Sequence, residues 1–379
     1  MRIAIIGTRG IPNRYGGFEQ FASHIAPLLV QNGHDVYVYN TSAHSYKGKS
    51  WRGVHIIAKY DPGKIMGTSG QFVYDLLCIL DARKRNFDLI LQLGYTSSSI
   101  WGFLFPHKAI LATNMDGMEW KRAKYNRLTR KFLQQAEAWA VKRSDVLIAD
   151  AEAMRRYLRS HYKKDACYIP YGAFPFQDPD PTLLVPYGLQ PFGYDLLIAR
   201  PERENNIEMI MRGHLMADSG RPLLIVGNGD NRYGKYLRKK YIQPSIIFMG
   251  SLYDMTTLNN LRYYSNLYFH GHSVGGTNPS LLEAMAARCL IVAHDNVFNR
   301  EVLGRNAYYF KKEADIARLL KTDPVKRAHA TFIESNLQKI EARYNWEHIV
   351  YLIEHYVIQG ADEKQKAHAT EPVTLVSIR

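Results

Sequence analysis

Two successive series of short apolar runs, each run followed by a stretch with helical spacing, constrain this chain more than any other feature of its sequence. The first series holds residues 3–6, 34–40, 54–58, 89–93, 109–113 and 146–149, with helical stretches near 71–85, 127–143 and 151–162. The second holds residues 195–199, 223–226, 246–249, 267–270 and 290–293. Short unbroken apolar runs suit strands buried on both faces of a parallel sheet, and strand-helix alternation suits a doubly wound one. The pattern predicts two Rossmann-like α/β domains with strand ends facing a cleft, where ligands of such sheets bind. A chain of 379 residues also suits two cores better than one.

A Pro-, Phe- and Asp-rich stretch, 168–191, is read as the interdomain linker, giving an acceptor-side domain over 1–173 and a donor-binding domain over 174–340. In residues 341–379, the segment 346–356 reads as an amphipathic helix packing back on the first domain, followed beyond Gly360 by a polar tail.

Charge divides unevenly between the halves. Residues 1–173 carry 25 Lys and Arg against 13 Asp and Glu, a net of +12, while residues 174–379 carry 24 against 22. The first half is therefore expected to face something anionic. Cys78, Cys167 and Cys289 are isolated, which suits a reducing cytoplasm and argues against a zinc site. The chain opens at once on a strand-like segment, so no leader is expected, and no apolar stretch is long enough to span a bilayer.

The chemistry concentrates in residues 269–287, where a short apolar strand enters a glycine turn and then a helix. Backbone N–H groups over 277–280 and the positive end of the helix dipole favour a phosphate there, and Gly275 and Gly276 let it approach the backbone. One turn further, Glu283 is placed to accept hydroxyl protons from a ribose or sugar. A surface glutamate on an ordinary strand-turn-helix corner is the plainer alternative. Arg200, at a strand end, suits a diphosphate clamp because its fork bonds two oxygens, or else an ion pair with Glu202 or Glu204. Asn205 and Asn206 read equally as ligand contacts or as helix caps. Asp116 and Glu119 follow another strand end, and either a proton-accepting role toward an acceptor hydroxyl or a capping role fits them.

The loop 7–17 carries Gly7, Gly10, Gly16 and Gly17, which is not the GxGxxG spacing of a dinucleotide site, and the next strand ends without an acid. A nicotinamide enzyme is disfavoured. Six cations and no acid, Lys121, Arg122, Lys124, Arg127, Arg130 and Lys131, occupy eleven residues. Tyr125, Leu128, Phe132 and Ala136 run beside them at helical spacing. The helix is read as lying on an anionic membrane leaflet, with a core-facing stripe and a solvated flank as the alternative. Nucleic acid is not expected as a partner, because no binding module frames the basic run.

Together these segments resemble the retaining nucleotide-sugar glycosyltransferases of the GT-B fold, family 4, and most nearly a bacterial rhamnosyltransferase branch. The likeness rests on residues 2–21 and on 271–285, GHSVGGTNPSLLEAM. It implies that Gly16 and Gly17 lie by the donor diphosphate, that Arg200 neutralises it and that Glu283 holds the nucleotide ribose. The wider family's first glutamate is replaced by Gly275, and its basic residue after the arginine by Asn205. In this branch backbone groups of Gly275, Gly276, Thr277 and Asn278 are expected to hold a deoxysugar.

The implied donor is dTDP-rhamnose and the implied acceptor a sugar on a polyprenyl diphosphate at the inner leaflet, with neither cofactor nor metal required. A UDP-hexose transferase and a non-catalytic nucleotide-sugar-binding subunit are the competing readings.

Overall fold

The computed structural model describes residues 1–14, 16–122 and 125–359. Its first sheet contains β1 (Arg2–Ile6), β2 (Asp35–Thr41), β3 (Ser50–Trp51), β4 (Val54–Lys59), β5 (Leu89–Leu93), β6 (Ile110–Asn114), β7 (Val146–Ala149) and β8 (Cys167–Tyr168), in the order β3-β4-β2-β1-β5-β6-β7-β8. The second contains β9 (Asp195–Ile198), β10 (Leu223–Val226), β11 (Ile246–Gly250), β12 (Tyr268–His270), β13 (Ile291–His294) and β14 (Tyr308–Phe310), ordered β11-β10-β9-β12-β13-β14. All pairings are parallel except β3 with β4.

The expected fold class, two Rossmann-like parallel-sheet domains, is what the chain adopts. The physical cause is visible strand by strand. Side chains alternate across a strand, so an unbroken apolar run supplies two cores at once. Leu89, Leu91 and Leu93 of β5 enter the core shared with Ile3 and Ile5, while Ile90 joins Ala4, Ile6 and Leu111 on the opposite face. In the second sheet Leu196, Leu224 and Tyr268 point one way and Leu197, Leu223 and Phe269 the other. Each such Leu or Ile, fully buried, contributes roughly 1.5–3 kcal/mol. The strands that the apolar runs do not foreshadow, β3, β8 and β14, are two or three residues long and lie at sheet edges. An edge strand has one neighbour and needs little apolar content.

One core runs continuously from the first sheet to the second through Tyr171, Ala173, Trp346 and Ile349. Trp346, 1% exposed, opens the Trp346–Leu352 helix. Its ring meets Phe21 edge-on at 6.0 Å and stacks on His24 at 4.5 Å, both on the Gly17–Gln31 helix of the first lobe. Gly172 makes room for it, since a Cβ there would lie 2.7 Å from the indole Cδ2.

β1 lies between β2 and β5, and β9 between β10 and β12, so each sheet reverses its winding direction beside its first strand. Chain leaving the carboxyl end of a strand at such a point opens a crevice. The loops after β1, β9 and β12 are therefore the ones that build the cleft.

Candidate active site

A cavity of about 420 Å³ lies between the lobes, lined by Gly16 and Gly17 from the first and by Arg200, Thr277, Asn278 and Glu283 from the second. The structure thus brings together the residues that the sequence singled out from segments far apart in the chain. Val226, Gly227, Leu252, Tyr253 and Leu258 contribute a largely apolar part of its wall, and Asp116, Arg122, Asp150, His270 and His272 a polar, acid-bearing part.

Arg200 follows β9 and is exposed in the cleft. Its charge acts on the Asp116 carboxyl and on the His272 ring, which places the guanidinium by the acid-bearing part. Asn205 does not cap a helix, and it lines the cavity. Its Nδ2 donates to the Arg200 carbonyl at 2.7 Å and its Oδ1 lies 2.9 Å from His272 Nδ1, so it fixes the two chains that carry those residues. Asn206, the residue before the Ile207–Ala217 helix, makes no capping bond and donates instead to the Gly271 carbonyl at 2.7 Å.

The helix that opens on the cleft is Pro279–Ala286. Asn278 caps it, its Oδ1 accepting from Ser280 N at 2.9 Å. The run of free N–H groups expected over 277–280 is therefore shorter: Pro279 has no N–H, Ser280 is satisfied by the cap, and the Thr277 N–H is turned toward the Asp150 carboxyl. Thr277 itself is buried, and its hydroxyl donates to the Asp150 carbonyl in the other lobe.

Glu283 lines the cavity but already holds two partners, an ion pair with Arg262 and a 2.9 Å bond from Gln20 Nε2 across the cleft. Arg262 is 2% exposed, so this is a buried cation matched by a carboxylate at the cleft wall. A carboxylate has about four acceptor positions, which leaves capacity for a ligand hydroxyl.

On the first lobe, Gly16 has φ 136°, so the backbone demands glycine, and a Cβ there would fall 1.9 Å from Glu19 Oε2 and displace that carboxylate. Glu19 turns back over this loop and accepts from Arg9 N at 2.8 Å. Asn13 and Arg14 also line the cavity.

Asp116 faces the cleft, and burial raises its pKa against the opposing pull of Arg122 and Arg200. It does not cap a helix; its N–H is taken by Asn114 Oδ1 at 2.9 Å. Glu119 pairs with Arg122 at 2.5 Å and is not part of the cavity wall.

Asp150, directly after β7, is a residue that the sequence reading passed over. It is 1% exposed, and burial together with the neighbouring Asp116 charge raises its pKa well above the usual carboxylate range. Its position at a strand's carboxyl end was the available signal. His270 and His272 were passed over as well. Burial lowers them to about 3 and about 4, so both are neutral rings, each with one nitrogen able to donate and one able to accept.

The basic segment is reorganised. Asn126 accepts from Thr129 N at 2.8 Å and starts the helix at Arg127, so Tyr125 lies before it. Leu133, Ala136, Ala140 and Val141 form the buried face, whereas Leu128 is 78% exposed, so the proposed apolar stripe does not share one side. Arg122 is corrected from a membrane-facing cation to a cleft residue paired with Glu119. Arg130 is half-buried and reaches the Arg122 carbonyl at 3.4 Å. Lys121, Arg127 and Lys131 are exposed; Lys124 lies outside the described residues.

Among the described residues no helix is long and apolar enough to cross a membrane, and no group of three His, Cys, Asp or Glu side chains is placed to hold a metal. One Asp-x-Asp triplet, at 178–180, lies away from the cavity wall, and Asp180 caps the Pro181–Tyr187 turn through Thr182.

Solved structures of this architecture are similar over nearly the whole chain. A sucrose-phosphate synthase from Thermosynechococcus elongatus aligns with a TM-score of 0.75 at 17% identity, covering 97% of this chain and 99% of its own. HepE from Anabaena, in complex with UDP and glucose, gives 0.75 at 16% identity, covering 95% and 100%. The trehalose 6-phosphate synthase of Burkholderia multivorans gives 0.67 at 13%, covering 97% of both chains. The chain has the GT-B fold. Residues 1–174 match the family described as "Domain of unknown function (DUF1972)". No curated protein sequence matches the chain.

Proposed function

We propose that this GT-B chain is a glycosyltransferase that takes a nucleoside-diphosphate sugar into the interlobe cleft and transfers the sugar to an acceptor hydroxyl. The observation that carries the proposal is the common cavity of Gly16, Gly17, Arg200, Asn278 and Glu283, together with an apolar part of its wall, with Leu252, that suits a base. GT-B neighbours support it: HepE is solved with UDP-glucose.

In this reading the base lies against Leu252 and Leu258, Glu283 accepts from a ribose hydroxyl, and the diphosphate lies between Arg200 and the Gly16–Gly17 turn. The bond between the sugar's anomeric carbon and the phosphate oxygen breaks, and the acceptor oxygen forms the new bond on the same face. The acceptor proton passes to the departing phosphate. Arg200, with Arg14 beside the same cavity, meets the charge that develops on the diphosphate, the kind of preorganised electrostatic help that contributes most in a water-poor site. No protein nucleophile is required by this scheme.

The finer assignment is a rhamnosyltransferase using dTDP-rhamnose and a polyprenyl-diphosphate-linked acceptor, peripheral to the inner membrane face. It is supported by the resemblance over 271–285, the +12 balance of residues 1–173, and the exposed Lys121, Arg127, Lys131 and Leu128. A UDP-hexose donor is the second reading, favoured by the HepE complexes. Saturation-transfer NMR with dTDP, UDP and their sugars tests both. Binding of dTDP-rhamnose in preference to UDP-glucose supports the first, the reverse preference supports the second, and no binding of either nucleotide rejects the glycosyltransferase.

A further inference from the structure

Two glycine-bearing turns face each other across the acid-bearing part of the cleft. A Cβ on Gly117 would lie 2.4 Å from Gly275 Cα, and one on Gly276 would lie 1.9 Å from Asp150 Oδ1. Neither Gly117 nor Gly276 has a positive φ, so the backbone itself does not demand glycine at either position. What the missing side chain at Gly276 provides is space, and that space is filled by a carboxyl group from the opposite lobe.

That carboxyl is incompletely satisfied. Asp150 is 1% exposed, it lines the cavity, and its Oδ1 is without a hydrogen-bond partner among the described residues. A buried polar atom left unpaired costs about 1–3 kcal/mol, and such an atom in a native site calls for an explanation. Asp116 stands close enough for its charge, added to burial, to raise the Asp150 pKa well above the usual carboxylate range. An unpaired carboxyl oxygen in such a place can accept the proton of a sugar hydroxyl, which would supply the missing partner.

The glycine turn of the second lobe supplies no carboxylate here, because position 275 is glycine, while Glu202 of that lobe lines the cavity and acts on Arg122. With the diphosphate between Arg200 and Gly16–Gly17 and the ribose at Glu283, as proposed above, the sugar is left to the groups beside Arg200, whose charge acts on Asp116, as that of Asp116 does on Asp150.

We propose that Asp150 is a sugar-binding residue that holds a hydroxyl of the donor's sugar through Oδ1 and thereby sets which sugar the cleft accepts. The assignment rests on the glycosyltransferase reading of the cleft. The side chain is the part that contacts the sugar; the Asp150 carbonyl keeps its separate bond from Thr277, so a side-chain substitution leaves that link between lobes in place.

The test is calorimetric titration of the full chain, wild type and Asp150→Asn, with UDP, dTDP, UDP-glucose and dTDP-rhamnose, after thermal melts show that both are folded. Asp150→Ser is the second variant, used in the same way should the first not fold. The expected result is unchanged affinity for UDP and dTDP, within about twofold, and roughly ten- to a hundredfold weaker binding of the preferred nucleotide sugar, the loss typical of a buried hydrogen bond to a charged or strongly polar group. If both nucleotides bind but neither variant alters sugar binding, Asp150 is structural and the proposal is overturned. If wild type binds no nucleotide at all, the cleft assignment fails first and the proposal falls with it.

Discussion

Gln20 donates its side-chain amide to Glu283 Oε1 at 2.9 Å, joining the first helix of one lobe to the helix that opens on the cleft in the other. The same carboxylate neutralises Arg262, which is 2% exposed. Glu283 is therefore at once part of the cleft wall, a counter-ion in the second lobe and a contact between lobes.

These three duties separate on mutation. Glu283→Ala leaves a buried guanidinium without a counter-charge, which costs about 3–5 kcal/mol. Gln20→Ala removes one neutral partner from a carboxylate that keeps Arg262 on its other oxygen, and costs about 0.5–1.5 kcal/mol. Urea unfolding of the two variants should show that ranking. Equal effects would mean that Arg262 finds another partner.

The His24–Trp346 stack ties the carboxyl-terminal helix to the first lobe, and burial lowers the His24 pKa to about 4, with Arg52 adding to the effect and Glu283 opposing it. Because the folded value lies below that of an unfolded histidine, near 6.5, the neutral ring's contribution is complete above about pH 6.5 and is lost as pH falls through about 4. Wild type should lose stability between pH 7 and pH 4.5 more steeply than His24→Phe, measured by urea midpoints. Parallel curves would show that His24 is not a source of the slope.

Exposed cations on the first lobe give the membrane proposal its test. Lys121→Gln, Arg127→Gln and Lys131→Gln together should reduce sedimentation with vesicles containing anionic lipid, and 0.5 M salt should reduce wild-type binding in the same way, because each surface cation contributes about 1 kcal/mol and is screened. Undiminished binding by the triple variant would place the contact elsewhere.

How far the sequence could be read follows from what each signal encodes. The strands β1, β5, β7 and β10 were legible because a strand buried on both faces must be apolar throughout, and Ile3, Leu91, Ile148 and Leu224 could belong to little else. Arg200, Glu283 and the glycines were legible as a set because all follow strand ends. Arg122 was misread because a run of cations records charge and not direction: Arg122, just after the short turn Glu119–Lys121, pairs with Glu119 and lines the cleft, while Arg127 and Lys131 on the following helix are exposed. Arg262 was invisible, since an arginine in an ordinary helical stretch looks solvated until its partner Glu283 is brought up from another helix. Asp150 ended a strand that had been recognised, yet its meaning depends on Gly276, over a hundred residues away, leaving space for it.

The most direct measurement of the central claim is release of nucleoside diphosphate by wild type and by Arg200→Ala, each given the preferred nucleotide sugar and a synthetic lipid-linked acceptor. Arg200 is exposed in the cleft, so the variant should fold as wild type does. The account predicts release by wild type that depends on acceptor and falls about a hundred- to a thousandfold in Arg200→Ala. Equal release by the two proteins, or none by wild type with any donor, would contradict it.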